Sequence, residues 1–584
     1  MKRFCIAWLV WCCCITVFAT TYTYTPSQLS ALKTQLDSKL QAGDIAYLED
    51  GTYTDFQVTF KGNGTESSPI TLKARNPGKA ILTGKLNLKI SGKYLIIDGL
   101  VFKDGQAASG DIVEFRTSSS SFANNCRMTH CVMDNCNNPD SKYYNGTDNS
   151  ERWIMLYGKN NKVDHCYFAN KTAGGVLMMI SLDNTDSQEN SHIIEYNFFG
   201  YRQKFEPGNN AETIRIGDSK TSRSSSATII RNNFFYTCDG EAETVSIKSC
   251  DNLVSQNIFY ESAGSVVCRH GNRNTIEENV FIGNSKSNCG GVRIINKGQQ
   301  VRNNFFQEIA GTGSRSALCV MMGIFEVPTS GTNTDREPLN AYHHVTEAIV
   351  NNNTFINCKN IDLGTNVSYT YDSSNPYYPG KKVDGTLKPE AVIASNVFYN
   401  PGDKSILNEV SGNVSSIACS NNSYMFKSTI SKTGFIYQSM NYAKITSGAG
   451  KGIHTLNGAQ VKPFAAAGVK CCGVSWYAAQ QSDVNTINAK TDFWENPLTV
   501  EPAVIYSSVK VTVEKSKGVK IESPNALIDT VVLYNLEGKQ LSFRNFKDYS
   551  CQFPFFGLST GVYLLKIRTE DGNHYFFKIS NSGR

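Results

Sequence analysis

TIIRNNFF (228–235), NLVSQNIF (252–259) and NTIEENVF (274–281) are three versions of one phrase: a β-rich run, an asparagine, and a phenylalanine two residues later. The same pair stands at Asn197/Phe199, Asn233/Phe235, Asn257/Phe259, Asn279/Phe281, Asn304/Phe306, Asn353/Phe355 and Asn396/Phe398. Toward the N-terminus Cys131/Met133 and Cys166/Phe168 keep the frame, with a thiol in the Asn place and a large apolar residue in the Phe place. The Phe-type positions are separated by 35, 31, 36, 24, 22, 25, 49 and 43 residues. A floor near 22–25 with longer excursions is the length of one turn of a parallel β-helix carrying insertions in some loops.

Each unit ends in Gly, Ser, Asn or Asp, which gives strand then turn. Stacked coils bring equivalent residues about 4.8 Å apart. An inward Asn on every coil can therefore pass amide hydrogen bonds along a ladder and satisfy buried turn backbone. The Phe positions stack as core, and neither ladder is expected to be catalytic. In TPSQLSALKTQLDSKL (25–40), Leu29, Leu32, Leu36 and Leu40 approach helical spacing behind Thr25 or Ser27 as cap. This helix is expected to cover the first coil, whose open strand edge needs protection.

The chain has 584 residues, beyond one ordinary globular domain, but a solenoid grows by adding coils that touch only their neighbours. Residues 1–20 have Lys2, Arg3, an apolar run and small residues near Ala19, the pattern of a secretory signal peptide. The expected location is therefore secreted, periplasmic or at the surface of a bacterium. No other stretch has the length of a membrane span. Four of the 18 cysteines leave with the signal; the rest lack metal-ligand spacing and are expected to pack as small apolar residues. Cys471 and Cys472 have no role that spacing suggests. A net charge of +6 hints at an acidic partner and gives no nucleic-acid signature. The β-helix is expected over 21–495. From about 500 to 584 the pattern changes to that of a small antiparallel β-sandwich, in AVIYSSVKVTV, DTVVLYNLEGKQL and TGVYLLKIRTEDGNHYFFKIS.

Acids and bases concentrate in NNAETIRIG (209–217), DGEAETVSIKS (239–249), ESAGSVVCRHGNRN (261–274) and CGGVRII (289–295). If coils stack in register, Asn209, Glu212, Glu241, Glu243, Lys248, Arg269 and Arg293 converge on one flank. Alternation places Glu241 and Glu243 on the same face of their strand. Two carboxylates and an amide oxygen suit a hard cation such as Ca2+. The plain alternative is a solvated stripe of mutually neutralising charge. Against it stands the mixture: an acidic cluster beside Lys248, Arg269, His270, Arg273 and Arg293 would serve a metal and an acidic sugar polymer together.

The strings NNAETIRIGDS, DGEAETVSIKS, ESAGSVVCRHGNRNTIEENVFIGN, GGVRIIN and GTGSRSAL resemble polysaccharide lyase family 6, which includes alginate lyases and chondroitinase B, over about residues 45–420. The resemblance implies an all-β, right-handed parallel β-helix with an N-terminal helical cap. It further implies that Asn209, Glu241 and Glu243 bind Ca2+, that Lys248 is the general base and that Arg269 is the general acid. The expected activity is β-elimination of a 4-linked uronate polymer, alginate before dermatan sulfate, leaving 4,5-unsaturated products. The neighbouring cations are expected to favour the neutral, proton-accepting form of Lys248. Arg293 is a candidate for the substrate carboxylate, with His270, Arg273, Arg315 and Lys171 as further substrate contacts. Asn210 departs from the Gly or Ala of many relatives. A non-catalytic polysaccharide-binding β-helix is the alternative of another class. The last 80 or so residues resemble C-terminal sorting domains of type IX secretion.

Overall fold

The computed structural model describes residues 19–491 except 38, 141–142, 145–146, 149–150, 207–208, 327–340, 374–378, 403–405, 411, 448–450 and 457–471, and 510–581 except 515–517, 524–526, 536–539, 549, 554–560 and 570–573. Nearly all of the expected signal peptide, and Cys471, lie outside the described residues. Two compact units divide the chain, Met1–Leu498 and Thr499–Arg584.

The first unit is a right-handed parallel β-helix. Fourteen strands, beginning with Thr21–Tyr24 and reaching Ile417–Ser420, form one sheet, here called A. Sheets B and C run alongside it and are joined through the long strand Ala80–Lys93. The Phe positions form one column of sheet C. Met133 pairs with Phe168, Phe168 with Phe199, and the series continues through Phe235, Phe259, Phe281, Phe306 and Phe355 to Phe398. Their rings stack at centroid distances of 4.5 Å for Phe235/Phe259 and 4.7 Å for both Phe259/Phe281 and Phe281/Phe306.

The corner between sheets A and C explains the asparagines. One residue makes each bend in the left-handed region: Tyr196 (φ 55), Asn232 (φ 54), Gln256 (φ 56), Glu278 (φ 56), Asn303 (φ 55) and Asn352 (φ 56). The next residue is the ladder Asn. Asn257 Nδ2 donates to Asn279 Oδ1 at 3.0 Å and to Ile230 O at 2.9 Å, while the Asn257 backbone N–H also donates to Asn279 Oδ1 at 3.0 Å. This unit repeats from Asn197 to Asn422 and satisfies groups that a tight buried corner would otherwise orphan. A second ladder, absent from the sequence reading, runs through the buried side chains of Asn252, Asn274 and Gln299.

At the N-terminal end a single 3-10 turn, Pro26–Gln28, leads into the helix Leu29–Leu36, with Thr25 and Gln28 forming a capping box. Leu32 and Leu36 are fully buried. The helix ends at Leu36, four residues before Leu40, which packs from the following loop. At the other side, Met440, Ile453, Leu456, Cys472, Val474 and Ile487 cover the outer face of sheet C, packing on Tyr167, Phe198, Phe234 and Ile258. Cys472 belongs to this cover, and its thiol contacts the Asn232 carbonyl at 3.0 Å. All 13 described cysteines are free thiols, and all but Cys419 are buried. The second unit consists of two antiparallel sheets that share a core of Val519, Ile521, Val531, Leu533, Phe553 and Leu565.

Asn279→Ala removes the acceptor of two Asn257 donors and the donor to Asn304. The expected cost is about 2–3 kcal/mol, read as a lower urea midpoint with an unchanged slope.

Candidate active site

The catalytic candidates sit on sheet B, where three strands meet: Ile214–Ile216, Glu243–Lys248 and Ser265–His270. Ile214 pairs with Val245, Ile216 with Ile247, and Ile247 with Cys268. These apolar residues point inward and are fully buried, so the alternate positions Arg215, Ser246 and Lys248 face outward. The pairing then slips by one residue, so that Lys248 lies opposite His270 and Arg269 is the extra residue of a bulge. Such a bulge re-aims a side chain. The Arg269 guanidinium lies over the Tyr342 ring at 4.4 Å and donates to the Ala341 carbonyl at 3.3 Å.

Glu212 and Glu241 interact with Lys248, and Glu243 interacts with Glu241. Glu212 is almost fully buried, with Oε1 3.7 Å from Lys248 Nζ and 3.5 Å from Arg215 Nη1. Glu243 accepts from Ser246 Oγ at 2.5 Å and from Arg293 Nη1 at 3.4 Å. Burial, then the negative charges of Glu212 and Glu243, push the Glu241 carboxyl up to about 10. Burial also opposes ionisation of Glu212, but Arg215 and Lys248 outweigh it and hold that carboxyl below its usual range. Glu212 was part of the sequence pattern without a role; the structure pairs it with Lys248.

The fit to a cation can be judged from these donors. Among the described residues no three His, Cys, Asp or Glu side chains form a ready-made ion cradle. In kind, the donors suit a hard cation: Glu241 is buried beside the carboxylates of Glu212 and Glu243, and buried Glu212 Oε2 has no hydrogen-bond partner among the described residues. Asn209 is exposed. Its neighbour Asn210, at φ 61, accepts from Arg215 Nη1 at 3.1 Å and is thereby tied to Glu212. That left-handed backbone accounts for Gly as an alternative residue there.

The other expected contacts divide. Arg293 and Arg315 face the acidic cluster: Arg293 through Glu243, Arg315 through its electrostatic coupling to Arg293 and Glu241. Arg293 is only 5% exposed and also donates to Ser314 O at 3.0 Å. Three expectations are corrected. His270 is buried behind the site, near Ser219 and His343; burial, then the positive charges of Arg269 and Lys248, hold its ring well below the usual titration range. Arg273 forms a two-pronged pair with Asp251, at 2.7 and 2.9 Å, on the turn toward sheet A. Lys171 has no exposed side-chain surface with which to meet a substrate. It lies 4.0 Å from Glu151 and 3.4 Å from the Gly174 carbonyl, and burial followed by the charge of Arg202 brings it down to about 7.

Arg202 was not singled out in the sequence. It is buried, donates to the carbonyls of Glu212 at 3.0 Å and Gly175 at 2.6 Å, and packs directly against Gly240. One guanidinium thus braces the backbone on both sides of the carboxylate cluster. No sequence repeat marks it, because a lone Arg in YRQKF looks like surface.

A family model described as Chondroitinase B matches residues 28–465. No curated protein matches the chain. Among solved structures, a mannuronic acid specific polysaccharide family 6 lyase from human gut microbiota is 35% identical, with a TM-score of 0.69 over 80% of this chain and 99% of that one. The PL6 family alginate lyase AlyGC is 32% identical, with a TM-score of 0.68 over 78% of this chain; the match spans 59% of AlyGC. A PL6 family polysaccharide lyase from Pseudopedobacter saltans, 24% identical with a TM-score of 0.54 over 72% of this chain and 92% of its own, shares the fold.

Arg202→Met takes the donor from the buried Gly175 carbonyl and one of two donors from the Glu212 carbonyl, which keeps the Leu177 N–H, and it releases the turn carrying Glu241. We expect a loss of about 2–3 kcal/mol in urea unfolding and at least a tenfold fall in kcat, whereas a brace without functional weight would change only stability.

Proposed function

Because the chain belongs to the chondroitinase B family, within polysaccharide lyase family 6, and is a polysaccharide lyase, we propose that it cleaves alginate, acting on mannuronate-containing stretches, by β-elimination. The observation that carries this reading is the placement of Lys248 on the same flank as Glu212, Glu241 and Glu243, with Arg269 one rung away. A mannuronic acid specific lyase at 35% identity supports the choice of polymer.

The chemistry follows from what elimination demands. The C5–H bond breaks, its electrons form the C4=C5 double bond, and the C4–O4 bond breaks toward the leaving chain. Lys248, in its neutral form, accepts the C5 proton. Arg269, fixed by Tyr342 and the Ala341 carbonyl, stabilises the negative charge that develops on O4. A guanidinium gives up its own proton poorly, so water completes the transfer to O4. Arg293 and Arg315 supply positive charge toward the uronate carboxylate. Glu241 and Glu243, with an amide oxygen from the Asn209/Asn210 pair, are the residues that would hold Ca2+, and Asn210 has the closer link to the cluster. When bound, Ca2+ supplies Lewis-acid neutralisation of the uronate carboxylate beside C5.

The family model's description favours dermatan sulfate as the second substrate to test. No described helix is long and apolar enough to cross a membrane. The N-terminal MKRFCIAWLVWCCC pattern supports export from the cell; we assign the last 80 or so residues to sorting during that export.

Incubation with polymannuronate, polyguluronate and dermatan sulfate, followed by the absorbance of the new double bond, tests the reading. Activity is expected on polymannuronate; turnover of dermatan sulfate alone would reverse the substrate. Lys248→Ala is expected to lower kcat/KM by roughly a thousandfold with the fold intact, and comparable turnover would move the base elsewhere. Chelation is expected to abolish activity and Ca2+ to restore it; full activity in chelator would remove the ion from the reaction.

A further inference from the structure

The turn that follows sheet B opens, on the N-terminal coils, into a cleft of about 760 Å3. One wall is a column of turn residues in lateral register: Asn63 beside Lys93, Lys93 beside Asn124, and Asn124 beside Lys159. Lys61 and the edge of Phe122 complete the lining that matters here. The charge balance is one-sided, with three lysines against the single lining carboxylate of Asp186. Lys61 is answered by Asp37 at 2.7 Å. Among the described residues, neither Lys93 nor Lys159 forms an ion pair.

Register fixes the spacing. Lys93 and Lys159 are two rungs apart, roughly 10 Å along the axis. The coil of Lys159 is three rungs from that of Lys248, through Leu156, Ile180, Ile216 and Ile247, or roughly 14 Å. Lys93 lies about 24 Å away on the same count. The cleft is therefore separate from the carboxylate cluster but lies on the same side of the solenoid. Its lining carries ammonium groups, amides and hydroxyls and is more polar than apolar, which suits a hydroxyl-rich anion in place of an apolar ligand.

We infer that this cleft is a second, non-catalytic binding site for the acidic polysaccharide, gripping a stretch of chain several rings away from the one being cut. The inference rests on the lyase reading for the identity of the glycan. It gives the enzyme a preference for polymer over short oligosaccharide, since a short substrate fills the catalytic site without reaching Lys159. Holding one chain at two points raises the local concentration of cleavable bonds without any new contact at the reacting sugar.

The test is the double charge reversal K93E/K159E in the full chain. KM for polymannuronate is expected to rise about tenfold and to lose much of its salt dependence, while KM for a polymannuronate tetrasaccharide stays within twofold of wild type. An unchanged polymer KM, or an equal rise for both substrates, overturns the inference. The neutral pair K93Q/K159Q, with far-UV circular dichroism, separates charge from misfolding; it is expected to keep the fold and raise polymer KM by a smaller factor. Affinity electrophoresis through polymannuronate or dermatan sulfate provides a readout independent of turnover. The Lys248→Ala protein is expected to be retarded, and retardation is expected to fall markedly, to what the catalytic site alone gives, when K93E/K159E is added. Equal retardation of both proteins, or none of either, contradicts the cleft. Absence of wild-type turnover on every uronate polymer would defeat the lyase reading, and the electrophoresis would still decide the cleft.

Discussion

The register of the A-to-C corner is the constraint on which the rest depends. From Tyr196 to Asn421 each coil turns there on one left-handed residue, which is followed by an asparagine of the amide ladder that links successive coils. A one-residue slip would leave buried N–H groups without acceptors and turn core side chains outward. The ladder therefore fixes not only the corner but the axial alignment of every strand. Lys248 and Arg269, which lie 21 residues apart in the sequence, become neighbours on adjacent rungs because of it.

That alignment concentrates charge in a way a single strand could not. Glu212, Glu241 and Glu243 come from two coils, and the guanidinium of Arg293 reaches Glu243 from a third. Their interactions are strong because Glu212, Glu241 and Arg293 are largely withdrawn from solvent. Burial first, and then repulsion from Glu212 and Glu243, raise the Glu241 carboxyl. Arg202 opposes it from below with its charge and, through the carbonyls of Glu212 and Gly175, fixes the backbone from which the carboxylates project. The packed solenoid interior provides the rigidity that such a cluster needs.

Much of this was legible in the sequence, and for a physical reason. The Asn and Phe ladders recur in strict relation because each repeat must meet the same neighbours, and the structure places them in single columns. The thiols in the first two rungs also hold the ladder position, with the Cys131 N–H directed to Cys166 Sγ and the Cys166 N–H to Asn197 Oδ1. What escaped notice has no periodic signature. Tyr196, Gln256 and Glu278 adopt left-handed φ although none is a residue type that favours it; the surrounding sheets impose the bend. Lys171 looked like a substrate contact, but whether a lysine faces out or in depends on loops brought over it from other coils. Likewise Arg273 stands close to Arg269 in sequence, yet the turn between them carries it to Asp251. The second amide ladder was hidden because Asn252, Asn274 and Gln299 vary in type and spacing. Met440, Ile453, Leu456, Cys472, Val474 and Ile487 form a cover over sheet C, and no repeat in the surrounding sequence marks what they pack against.

The most direct measurement is a crystal structure of the Lys248→Ala protein with a mannuronate oligosaccharide bound. The expected result is a uronate ring whose C5 hydrogen faces the space vacated by the lysine amine, with its carboxylate toward Glu241, Glu243 and Arg293. An oligosaccharide held only on sheet A or on the cover of sheet C, with the sheet B flank empty, would contradict the assignment.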